Sequence, residues 1–462
     1  MIFPFADASV TCRSMWWLFV QAWAGEPVQT EFLAGSYGRV QASTDLAGGG
    51  GAPVNVVSHP PRLELDPYLE LDLGWQLTLP DKARFRVMVT PAVSGPLFHY
   101  DGNWGDVFTL RNLYVEADQF APTPLTVWAG SRMYRGDDLY LLDFWPMDNL
   151  NTIGGGARWT PPKSEVSLHV GMNRLSDREW QYQEVVVPTS DGVSGEKVVF
   201  LDRQRVVGSL RLGREFSVGE TTLRARLYGE FHHLPAGERL KDDAYEELGV
   251  EMLPSDRGSV IGAQFSAWGF LPQSATHLWV RRATGLAAYG DLTVPTDGLA
   301  LDLRSAKAQT WTIATSTNLE FGPAGVMFGG YVAYQQDADG QALDFDDRWE
   351  VIALARPSVY IGEHVALSAE VSHQHVRPNG LNPRSEAFDQ PDITKISFLP
   401  GLQTAKGGFA RPRIQAIYTV NFVDAEARRF FSEQDVRAQR PVQHYLGIGA
   451  EWWINSQRTA TP

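Results

Sequence analysis

The sequence predicts an all-β chain folded as a transmembrane antiparallel β-barrel, and three observations carry that reading. Apolar and polar residues alternate with period two in many short runs, no long helical pattern follows the amino terminus, and turn-rich segments of unequal length separate the runs. The 462 residues include 54 acidic and 40 basic side chains, a formal charge of −14, and 44% are hydrophobic. That balance fits neither a disordered chain nor a helical membrane protein. Its sign, which repels phosphates, speaks against a nucleic-acid partner. The 43 glycines, 15 tryptophans and 15 tyrosines suit strands and turns. The single cysteine, Cys12, allows neither an internal disulfide nor a multi-cysteine zinc site.

The amino terminus comes first. Arg13 precedes a short apolar run over 15–20, which ends in Ala22-Trp23-Ala24. A positive charge, an apolar stretch and A-x-A are the three parts of a secretory signal peptide. Residues 1–24 are therefore expected to be removed on export, with Met15 an alternative start, and 25–462 to form one barrel domain. The apolar run falls far short of the ~20 residues a membrane helix needs.

The strands follow. Ala83, Phe85, Val87 and Val89 alternate with Arg84, Arg86 and Thr90, and Val166, Leu168 and Val170 with Ser167 and His169. Leu223, Ala225, Leu227, Gly229 and Phe231 share one face, opposite Arg224, Arg226, Tyr228 and Glu230; Val365, Leu367, Ala369 and Val371 oppose Ala366, Ser368, Glu370 and Ser372. Arginine and glutamate in mid-strand suit a solvated lumen as well as an outer surface. Between the runs lie short turns such as 79–82 and long polar loops such as 377–392, the pattern of an outer-membrane barrel with short turns on one rim. A β-propeller would also give many short strands, but no blade-length repeat supports it.

Residues 126–157 read TVWAGSRMYRGDDLYLLDFWPMDNLNTIGGGA. This block resembles the signature of the maltoporin-type carbohydrate porins, the LamB family: W-A-G-x-R-x-Y, then a loop with an acidic residue, D-F and an aromatic, then a glycine cluster. GSYGR (35–39), PRLELDPYLELDLG (61–74), FARPRIQAIYT (409–419) and HYLGIGAEWWI (444–454) are similar to the same family in the right order, while 160–400 match loosely. The resemblance implies an 18-stranded barrel, a homotrimer in the outer membrane of a Gram-negative bacterium, and a third loop folded inward to constrict the pore. It further implies facilitated diffusion of sugars, above all maltodextrin-type oligosaccharides, along an aromatic ladder flanked by charged residues. Aromatic faces suit the apolar C–H faces of a sugar ring, and charged groups make strong hydrogen bonds with its hydroxyls. Many weak sites in series let a solute enter and still leave.

Carried over by motif position, the ladder comprises Tyr37, Tyr68, Trp104, Phe409 and Trp453, with Trp104 in a loop that would reach a neighbouring subunit. A sixth aromatic is expected near 270–280; the family position falls close to Ala275, so it stays unassigned, with Phe270 and Trp279 neighbours in sequence only. The polar track comprises Arg39, Arg62, Glu70, Arg111 and Asp143, joined by Asp138, with Trp145 as the aromatic wall opposite the ladder. Gly136 stands where the family has a second arginine, so either Arg135 supplies the charge with a different reach or the constriction is wider. The disulfide common in the family's first external loop is absent. For any barrel aromatic the competing reading is a lipid-facing girdle, and for the charges mere solvation of the lumen.

Other classes fare worse. His373 and His375 share a strand face but have no third ligand in view, so neither a metal nor a cofactor is expected. His232 and His233 point to opposite faces. No G-x-S-x-G nominates an esterase serine. A secreted glycosidase would need two carboxylates, which 54 acids could provide, but the porin block weighs against it. The serious rival is a non-specific ion and solute porin of the same barrel type.

Overall fold

The computed structural model describes residues 28–95, 108–173, 180–189, 194–240, 249–290, 295, 298–341 and 343–455. The expected signal peptide and Trp104 lie outside these residues.

Twenty-two strands follow one another along the described chain: β1 (Gln29–Thr44), β2 (Tyr68–Thr78), β3 (Arg84–Ser94), β4 (Phe108–Asp118), β5 (Leu125–Arg135), β6 (Asn149–Trp159) and β7 (Ser164–Asn173). The hairpin β8 (Tyr182–Pro188) and β9 (Gly195–Asp202) comes next, then β10 (Arg205–Val218) and β11 (Thr221–Leu234), and a second hairpin, β12 (Gly237–Leu240) and β13 (Val250–Leu253). The remaining strands are β14 (Asp256–Trp268), β15 (Ala275–Gly285), β16 (Gln309–Glu320), β17 (Ala324–Gln336), β18 (Arg348–Ile361), β19 (Val365–Pro378), β20 (Asp392–Gln403), β21 (Arg413–Val423) and β22 (Val442–Ile454). Eighteen of them form one antiparallel sheet, each paired with its neighbour along the chain once the two hairpins are set aside. The sheet closes on itself because β1 pairs with β2 on one side and with β22 on the other. Closure leaves no unpaired edge, which a strand sheet in lipid requires.

The alternation in the sequence is the alternation of outside and lumen. On β11, Leu227 and Phe231 face out while Arg224, Arg226 and Glu230 are buried within. On β19, Leu367 and Val371 face out while Ser368, Glu370 and Ser372 are buried. Turns such as 219–220, 321–323 and 362–364 sit on one rim together with the start of β1 and the end of β22, whereas loops such as 45–67, 136–148 and 286–308 sit on the other. In outer-membrane barrels the short turns face the periplasm and the long loops the outside. Exposed aromatics ring both ends of the apolar band. Phe32 packs edge-on against Trp75 near the short-turn rim, and Tyr334 lies against Trp349 near the other. Such girdles sit at the membrane–water interfaces.

Two loops fold into the barrel. The third, 136–148, carries a 3-10 turn (Tyr140–Leu142) whose neighbours Leu139, Leu141 and Met147 are buried against the inner wall of β14–β19, chiefly Trp279, Ala314, Tyr331, Ile352 and Val376. This is the constriction loop the resemblance implies. The first loop, 45–67, also turns inward, which sequence reading did not anticipate. Its backbone N–H groups at Val56, Ser58 and His59 donate to Gln374 Oε1 (3.0 Å), Glu350 Oε2 (2.9 Å) and the Tyr331 hydroxyl (3.1 Å). The His59 ring stacks on Phe144 of the third loop at 3.9 Å between centroids. Each loop thus holds the other in place. Buried backbone donors need such partners, and here wall side chains replace water.

Candidate functional site

Between the third loop and the wall that runs from β22 and β1 round to β16 remains a cavity of ≈1020 Å³. Tyr37, Arg62, Glu70, Arg135, Asp138, Trp145, Phe409 and Trp453 line it. Tyr68, Arg39, Arg111 and Asp143 stand behind as partners of lining residues.

Barrel closure gathers the site. Tyr37 on β1 stands opposite Glu70 on β2 and Trp453 on β22, so residues over four hundred positions apart share one stretch of wall. Tyr37 packs against Tyr68 with centroids 5.8 Å apart. Further along, Tyr140 from the third loop meets Phe409 edge-on at 5.5 Å and Trp453 at 5.8 Å. Arg62 connects the two groups, 5.7 Å over the Tyr37 ring and 4.4 Å over the Tyr140 ring. Tyr140 was not foreseen: its motif position names no role, and only the inward fold brings it to the wall. Of the described rings expected in the ladder, Phe409 is the most open at 42% exposed, whereas Tyr37 is 1% exposed.

The charges form chains. Asp143 accepts from Arg39 (3.2 Å) and Arg62 (3.1 Å). Its backbone is left-handed (φ 49°), a conformation aspartate adopts at some cost and keeps only when its surroundings hold it. Arg62 continues to Glu451 (2.5 Å), and Glu451 accepts from Arg411 (2.7 Å) and the Tyr140 hydroxyl (2.7 Å). Sequence reading missed Glu451 and Arg411, although both lie inside quoted motif segments and alternate with outward residues. On the other side Arg111 meets Glu70 and the Tyr68 hydroxyl. A bulge between β3 and β4 at Thr90/Pro91 leaves Arg111 without a ladder partner of its own and aims it inward.

At Gly136, the departure from the family pattern, an added Cβ would run into the Asp148 carboxylate, so a larger residue there requires that carboxylate to move. Asp148 is held by Arg211 of β10. Arg135 instead lies 3.9 Å over the Trp145 ring and donates to Asn149. Across the cavity Asp137 binds both Arg224 and Arg226, and Glu165 binds Arg226 (3.2 Å). Nine basic and seven acidic residues line the space, so the lumen does not share the chain's overall acidity. Ala275, the expected sixth ladder position, pairs across the sheet with Trp268, which also lines the cavity. Trp279 is instead 1% exposed, in the core behind the third loop. His373 and His375 both approach Asp392, at 3.3 and 2.9 Å, on the outer side of β19 and β20.

The family described as LamB porin matches residues 34–453. No curated protein matches the chain significantly. Among solved structures, the outer-membrane protein OmpT of Vibrio cholerae is 9% identical, with 92% of this chain and 98% of that one covered and a TM-score of 0.42. Pseudomonas aeruginosa OccK2 gives 10%, 93%, 98% and 0.45, and the anion-selective porin of Comamonas acidovorans 10%, 92%, 99% and 0.41. At this identity and overlap the likeness does not extend to function.

Proposed function

The chain belongs to the LamB porin family, an outer-membrane channel family, and from that premise we propose that it carries oligosaccharides, most closely of the maltodextrin type, by facilitated diffusion. The observation that carries this reading is the row Tyr37–Tyr68 and Tyr140–Phe409–Trp453, joined by Arg62 and backed by Asp143 and Glu451. A sugar sliding past Phe409 and Trp453 would offer its C–H face to the rings and its hydroxyls to the Arg62 and Glu70 side, each contact weak enough to break. Arg135 over Trp145 forms the facing wall. Trp268 takes the sixth aromatic place beside Ala275.

The protein is further proposed to be exported by its 1–24 signal peptide and to work as a homotrimer. Its apolar outer band sits in outer-membrane lipid. A second reading, a general ion and solute porin, draws on the near-complete burial of Tyr37 and on the guanidinium groups that already cover ring faces, Arg39 and Arg111 over Tyr68 and Arg411 over Trp453. Liposome swelling separates the two. Entry of maltotriose well ahead of raffinose, a trisaccharide of equal mass, supports sugar recognition; equal entry supports the general pore.

A further inference from the structure

The loop 337–347 between β17 and β18 reads DADGQALDFDD, and the lumen makes no use of it. One carboxylate oxygen from each of Asp337, Asp344 and Asp346 lies within 4.8 Å of the other two. Asp344 is only 5% exposed, and its Oδ2 is sealed from solvent without a hydrogen-bond donor. Asp337 Oδ2 is likewise buried and undonated. Among the described residues no lysine or arginine forms an ion pair with any of the three carboxylates. Buried carboxylates in contact are costly unless a cation or a proton compensates them.

The surroundings are built around this cluster. Gly298 of the loop 286–308 is left-handed (φ +63°), and an added Cβ would strike Asp337 Oδ2. Its carbonyl accepts from Ala338 N (2.9 Å) and from the Tyr289 hydroxyl, which in turn accepts from Ala338 N (3.0 Å). Gly380 of the loop 379–391 packs against the Asp344 backbone, where a Cβ would come within 2.6 Å. Asp347 ties the ends of the loop by accepting from Asp337 N (2.7 Å). Three extracellular loops therefore close over three acidic oxygens.

We propose that Asp337, Asp344 and Asp346 form a calcium site that pins the loop 337–347 to its two neighbours on the extracellular rim. The donors are all oxygen, with neither sulfur nor imidazole in the group, which suits a hard cation and not zinc. Calcium accepts irregular shells of six to eight oxygens, so carbonyls and water can complete it, whereas magnesium demands a near-ideal octahedron. Affinity is expected in the ~10⁻⁴–10⁻³ M range of extracellular modules.

Terbium luminescence of the refolded full chain in detergent tests this, with Tyr289 placed to sensitise the ion. The expected result is saturable emission at one ion per chain, displaced by calcium and far less by magnesium, and weakened at least tenfold in Asp344→Asn and in Asp346→Asn. Asp302→Asn, an exposed acid in the loop 286–308, should bind as the parent does. Should Asp344→Asn fail to refold, the exposed Asp346 decides alone. Absence of saturable emission, or binding unchanged in Asp346→Asn, overturns the proposal. The outcome is independent of whether the lumen recognises sugar.

Discussion

The two sides of the lumen are made of different material. Toward β14–β19 the inner wall offers Trp279, Ala314, Tyr331, Ile352 and Val376, and the third loop buries Leu139, Leu141 and Met147 against them as a soluble protein packs its core. Toward β2–β11 the inner wall offers Arg86, Glu116, Arg132, Arg211, Arg224 and Arg226, all in ion pairs around open space. One side anchors a loop by excluding water, and the other keeps a wet path by holding charges apart on a rigid frame. A barrel of eighteen strands is wide enough to need both, because an open cylinder of this size would pass solutes without discrimination.

The sharpest way to break the contrast is at the seam, where Glu451 serves Arg62, Arg411 and Tyr140 at once. Glu451→Gln leaves buried Arg411 without its counter-charge and Arg62 with Asp143 alone, and should cost about 3–5 kcal/mol, read as a lower midpoint in urea unfolding from detergent or lipid. Leu139→Ala acts on the packed side alone. Leu139 is fully buried, and the truncation should cost about 2–5 kcal/mol of local packing. The loosened third loop should then raise single-channel conductance while sugar still binds. An unchanged conductance would mean that the apolar side does not set the constriction. Arg111→Ala and Trp145→Ala act on the wet side. Each should weaken sugar binding by roughly tenfold, ~1.4 kcal/mol, the scale of one hydrogen bond lost with Arg111 or one ring face lost with Trp145, and leave conductance present. If both titrate like the parent, the residue assignment fails although the barrel stands.

The same contrast explains what the sequence disclosed. Strands such as β11 and β19 were legible because one face must satisfy lipid and the other water, which writes a period of two into the residues. The third loop was legible through its motif. The inward first loop was not: DLAGGGGAP reads locally as a solvent loop, and its partners Tyr331, Glu350, Gln374 and Lys395 lie about three hundred residues away. Trp279 and Trp453 both point inward, and alternation alone cannot tell the ring that packs under a loop from the ring that lines the cavity. Arg111 was expected from its motif position, but its aim depends on a bulge that no local pattern announces. Gly136 marked a departure whose reason, the space taken by Asp148, appears only once β6 and β10 are side by side with the loop.

The central claim is that the ring-and-charge row on the wet side recognises sugar. Single-channel conductance of the refolded protein in a planar bilayer, titrated with maltooligosaccharides and then with sucrose, tests it most directly. The structure-based reading predicts closure in three steps that saturates with sugar, the longer maltooligosaccharides blocking at lower concentration. Steady conductance indifferent to every sugar would contradict it and leave a general porin.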